Sequence, residues 1–92
     1  MKEFKIIKNE YNAVENAGYK RDDAAPVERD FAGVYENLGY YERERRMDAA
    51  EDAFFEGDAV LGEGEDGNLY AIYTAWNGEK MVPVIWQRVK EA

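Results

Sequence analysis

The apolar residues of this chain change their spacing from one third to the next. Near the start, "EFKIIK" has a β-branched centre and ends at Asn9, a pattern that predicts a strand over residues 3–8. Residues 10–17, "EYNAVENA", predict a short helix stopped by Gly18. The run "YKRDDAA" then reads as a loop, closed by Pro26, which suits the first position of a helix.

From Val27 onward, Val27, Phe31, Val34, Leu38 and Tyr41 recur at helical spacing, and Tyr40, Met47, Ala50 and Phe54 form a second stripe. At about 100° per residue the two stripes fall on opposite sides of any continuous helix. The segment therefore divides at Gly39, read as a left-handed cap, into helices over 26–38 and 41–56, and Gly57 ends the second.

The last third reads as strands. Asp66-Gly67 and Asn77-Gly78 suit two-residue hairpin turns and predict a three-stranded meander over 58–64, 68–76 and 79–89. Such turns pair Glu65 with Asn68 and Trp76 with Glu79, which fixes the faces. One face carries Val60, Gly62, Gly64, Leu69, Ala71, Tyr73, Val82, Val84 and Trp86, with the glycines leaving room for a ring such as Trp86. The other carries Leu61, Glu63, Tyr70, Ile72, Trp76, Met81, Pro83 and Ile85, and is apolar enough to call for a cover of its own. Pro83 cannot donate to a ladder, so its strand is expected to be an edge or to bulge there. The fold class this predicts is α+β: an N-terminal strand, two to three helices, and a C-terminal three-stranded antiparallel meander packed on the helices.

Length makes this one domain over 1–92, and an apolar fraction of 46% with 14% aromatics is enough for a core despite 35% charged residues. The net charge of −8 is unevenly spread: residues 22–66 hold four bases and fifteen acids, while the flanking segments are each slightly positive. A field of that sign repels nucleic acid and anionic membrane and attracts basic surfaces. No stretch resembles a signal peptide or a membrane span, so the expected compartment is the cytoplasm.

There is no cysteine, histidine or serine, and Thr74 is the sole aliphatic hydroxyl. The usual nucleophile pairs, imidazole acid–base chemistry and ordinary zinc sites are thereby removed. Calcium fails on spacing in "GEGEDGN": with Gly67 at the sixth loop position, Gly62 and Gly64 stand where the first ligands belong. A carboxylate pair alone is too common in so acidic a chain to signal a glycosidase. The expectation is a protein that is not an enzyme and has no cofactor and no metal.

What remains is an acidic column. Glu44, Asp48, Asp52 and Glu56 fall four apart, with Glu51 beside them and Tyr41 and Phe55 among them on the helical wheel. Like charges at this spacing cost a helix a few tenths of a kcal/mol per pair, roughly 1 kcal/mol for the column. The plain reading is a solvated face. The functional reading is a contact surface for a partner rich in Arg and Lys, which gains ion pairs and stacking on the rings. Trp76, beside a turn on the second face, joins these as a partner-binding residue. In size, charge and lack of catalytic residues the chain resembles the small acidic anti-defence proteins of phages and mobile elements, such as anti-CRISPR and anti-restriction proteins. Those proteins share no motif, so no functional residue is carried over. The resemblance implies an inhibitor or nucleic-acid mimic occupying a basic, nucleic-acid-handling surface. The alternatives are a structural module that oligomerises through the apolar sheet face, and a small-ligand binder with its pocket between sheet and helices.

Overall fold

The computed structural model describes residues 3–92. In chain order the elements are β1 (Phe4–Lys8), α1 (Ala13–Asn16), β2 (Tyr19–Arg21), β3 (Glu28–Arg29), α2 (Tyr40–Phe55), β4 (Val60–Gly64), β5 (Leu69–Trp76) and β6 (Met81–Glu91). The strands form one antiparallel sheet in the order β1-β4-β5-β6-β2, with β3 also on β6. This overturns the expected three-stranded meander packed on two to three helices: the described chain is mostly sheet, and only α2 is a helix of any length.

The helix expected over 26–38 is absent for a local and a tertiary reason. Gly33 sits at φ 80°, which breaks a right-handed helix. Glu28 and Arg29 pair with Trp86 and Ile85, and the Asp30 amide donates to the Val84 carbonyl at 2.8 Å, so the backbone satisfies itself on the sheet. Val27, Phe31 and Val34 still reach the core, carried by turns. Residues 19–21, read as loop, become β2 by pairing with Val89–Glu91.

α2 begins after Gly39, whose φ of −63° is extended and not the left-handed cap predicted. Its end follows the reading. Gly57 takes φ 95°, the Glu56 amide donates to the Asp52 carbonyl, and the Asp58 amide donates back to the Ala53 carbonyl, both at 3.0 Å.

Neither hairpin turns about the dipeptide expected, the first because its loop is longer and the second because its turn is displaced by one residue. The first has three loop residues, Glu65 to Gly67: Gly64 donates to the Asn68 carbonyl at 2.9 Å, and Gly67 takes φ 81°. Leu61 consequently pairs with Ala71, one residue off the expected register, and β4 exchanges faces. The second turns about Gly78-Glu79, with the Asn77 amide donating to the Lys80 carbonyl at 3.0 Å and Trp76 opposite Met81. That shift of two preserves the faces as far as Pro83. There the ladder slips, Thr74 facing Pro83 and Tyr73 facing Ile85, so Val84 is the extra residue of a bulge beside the proline. Beyond it Ile85 turns to the helix side and Trp86 to the other.

The helix side gathers Leu61, Ala71, Val82, Val84 and Ile85 around Ala50 and Phe54 of α2 and Ala13 and Val14 of α1. The far side buries Tyr70, Ile72 and Trp86, with Phe4 and Val60 packed against them. β4 and β5 lie between β1 and β6, so a flat sheet would hold Phe4 and Trp86 about 14 Å apart. Their ring centroids are 5.6 Å apart, and Phe4 meets Tyr70 edge-on at 5.2 Å. The sheet is therefore curled, with this aromatic cluster inside the curl. Gly62 and Gly64 permit it: a Cβ on Gly62 would lie 2.6 Å from Ile72 Cδ1, and one on Gly64 would lie 2.8 Å from Tyr70 Cε1. The room foreseen for Trp86 is taken by Ile72 and Tyr70.

Candidate functional site

α2 places most of the sequence-predicted residues on one outer surface. Glu44, Asp48, Asp52 and Glu56 are all exposed, and none takes part in an ion pair among the described residues. Tyr41 is 87% exposed and meets Tyr40 edge-on, with centroids 5.4 Å apart. Tyr40, expected in the buried stripe, is itself exposed because α2 begins there and leaves the core behind.

Two predicted members are engaged inside the protein. Glu51 is half-buried and accepts from Arg29 Nε, tying α2 to β3. Phe55, 49% exposed, meets Phe54 edge-on and lies 5.5 Å from the Arg21 guanidinium, which stands 4.5 Å from the Phe54 ring. The sequence placed this Phe among carboxylates without showing what it packs on, and the structure supplies Arg21 from β2. Trp76 stands apart from the whole set. It ends β5 on the face turned away from α2, so the eight predicted residues do not form one patch.

Arg21 also donates to the carbonyls of Phe54 and Phe55 at the C-terminal end of α2, where a cation is favoured by the helix dipole. Burial lowers its pKa from the ordinary value, opposed by Glu15 and Asp23, and its Nε is buried without a partner. Arginine stays charged regardless. Arg21→Ala is expected to lower stability by about 1–3 kcal/mol through loss of the cap and of both ring contacts. Arg21→Lys is expected to recover less than half of that, because an ammonium cannot span two carbonyls as a planar fork does. Urea unfolding midpoints compare the three proteins.

At the other end of α2, Glu42 accepts from Arg46 and Arg45, which hold its carboxyl below the usual range. Whatever this contributes is present above the unfolded-state pKa and is lost as pH falls through the lowered one. Burial pushes the Tyr35 and Tyr73 phenols up, away from the anionic form that tyrosine base chemistry needs. Among the described residues no group of three or more Asp, Glu, His or Cys is arranged to hold a metal ion, and no helix is long and apolar enough to cross a membrane.

A concavity lies inside the curl, on the side of the sheet turned away from α2. It is a groove of about 570 Å³ between β1 and the start of β6, floored by Val60 and Thr74. Its walls were missed in the sequence because "EFKIIK" does not show which strand it pairs with. The apolar second face and the exposed Trp76 were the available signals. Comparison with known protein families, with curated proteins and with solved structures finds no match for this chain.

Proposed function

We propose that this protein is a small, non-catalytic acidic binder that acts as an inhibitor or decoy, occupying a basic, nucleic-acid-handling surface of another protein in the manner of anti-CRISPR and anti-restriction proteins. The observation that carries the reading is the outer face of α2, where Glu44, Asp48, Asp52 and Glu56 stand exposed, without an ion pair among the described residues, beside the protruding Tyr41. Successive members of the column rise about 6 Å along the helix, an interval of the same order as that between phosphates. Such a surface offers ion pairs and ring stacking to Arg and Lys, and the surplus of acids steers a cationic partner toward it.

The test is retention of partners from host lysate on the tagged protein, compared with the variant Asp48→Lys/Asp52→Lys/Glu56→Lys. These side chains are exposed, so the variant is expected to keep its fold. Wild type should retain a basic nucleic-acid-binding protein at low salt and release it at high salt, while the variant retains at most about a tenth as much. Equal retention by the two would sink the proposal.

The second reading, a structural module that oligomerises through its sheet, draws support from Trp76 and Met81. They are 59% and 56% exposed and lie opposite one another on the open face. It predicts a mass that grows with concentration, loses that growth in Trp76→Asp, and is indifferent to the acidic variant.

A further inference from the structure

We infer that the groove inside the curl is a binding site for a small amphiphile with an apolar chain and a single anionic head, the chemistry of a medium-chain carboxylate. The groove is on the opposite side of the sheet from α2, and the inference stands independently of the proposed function. Its volume of about 570 Å³ falls within the roughly 300–1,000 Å³ of small-molecule sites, which are mainly apolar with a few placed polar groups. Phe4 and Ile6 of β1 form one wall and Met81 and Pro83 of β6 the other, over Val60 and Thr74.

Strand direction gives the groove two unlike ends. Each strand along the path β1-β4-β5-β6 is antiparallel to the last, so β1 and β6 run in opposite directions. One end, at the start of β1, is closed by the contact of Phe4 with Tyr70 and Trp86. At the other, β1 gives way to Asn9 and β6 is entered from Lys80, and both residues line the groove. The Lys80 ammonium makes no ion pair among the described residues. In a chain of net charge −8, an unengaged cation at the open end of an apolar groove is the complement of one negative head group. Glu3 lines the rim at the closed end, so the charges set a direction: apolar tail toward Phe4, head toward Lys80.

A second copy of this chain is the competing occupant, and the rim opposes it. β1, the outer strand, carries Lys5 and Lys8 and a ladder irregularity between Ile6 and Lys8, features that discourage edge pairing. The acidic surplus adds self-repulsion.

The test is calorimetric titration of the intact protein with hexanoate, octanoate and decanoate below their micellar concentrations, with decylamine as the charge-reversed control. The expected result is saturable 1:1 binding that tightens about twofold to fourfold per added methylene, the range set by burying part or all of each group. Decanoate should bind about threefold to fivefold tighter than decylamine, and the exposed substitution Lys80→Glu should invert that order. Circular dichroism of the variant, unchanged from wild type, would show that the fold is kept. Absence of saturable heat would overturn the inference, as would affinity indifferent to chain length or to residue 80. A concentration-dependent dimer lost in Trp76→Asp would overturn it as well, by giving the groove to a second copy.

Discussion

Phe54→Ala should lower the free energy of unfolding by about 3–5 kcal/mol, the range for truncating a fully buried Phe. Phe54 is the large ring that α2 sends into the helix-side core and is wholly buried there. The same ring lies beneath the Arg21 guanidinium, so its removal also loosens the strap between β2 and the end of α2. Against a total stability of about 5–15 kcal/mol for a domain, this one change can bring the protein to the edge of unfolding at 37 °C. The check is urea denaturation followed by far-ultraviolet circular dichroism, with Phe54→Leu as the milder companion. A loss under about 1 kcal/mol for Phe54→Ala would mean that α2 is not fastened through this ring, since even partial relaxation of a buried cavity leaves a larger cost.

Gly62→Val should cost about 2–4 kcal/mol, from overpacking against two neighbours at once. A Cβ on residue 62 would meet Ile72 Cδ1 at 2.6 Å and the Lys5 carbonyl oxygen at 3.1 Å. Ile72 has little room to retreat, because it is fully buried. The Lys5 contact is with backbone, so relieving it moves β1 away from β4. The variant is therefore expected to lose hydrogen-exchange protection in β1 before the rest of the sheet, and to lose the Phe4 contact with Trp86. A change in tryptophan emission reports the second effect. Gly62→Ala should behave alike at roughly half the cost, since the backbone contact remains but the branched methyls are absent.

The parts of the fold written in local chemistry were legible. Gly57 ends α2, Gly18 ends α1, the β-branched run after Glu3 is a strand, and Pro83 marks a bulge, because each depends on one residue's φ or missing donor. What could not be read depends on partners far along the chain. The spacing of Val27, Phe31 and Val34 fits a helix as well as it fits two turns held on a sheet edge, and the ladder on β6 decides between them. Asp66-Gly67 announced a turn correctly, but whether the loop holds two residues or three moves every side chain of β4 to the other face. The exposed acids of α2 were legible because no cation among the described residues pairs with them. The contacts of Glu51 with Arg29 and of Phe55 with Arg21 were not legible, because those arginines reach them from strands the sequence did not announce. The groove was hidden for the same reason, since its two walls are distant in sequence and meet only because the sheet curls.

The many partners of β6 also bear on how fast the chain can fold. β5 meets it across one tight turn, but β3 waits for residues 85 and 86, and Tyr19 of β2 waits for Glu91, about seventy positions later. Closing such long loops costs entropy before any contact returns it, and a high mean sequence separation slows folding. The β4-β5-β6 meander is the part that can assemble from neighbours alone. β2 and the Arg21 strap it carries are placed to dock last, and refolding should be limited by that capture and not by formation of α2.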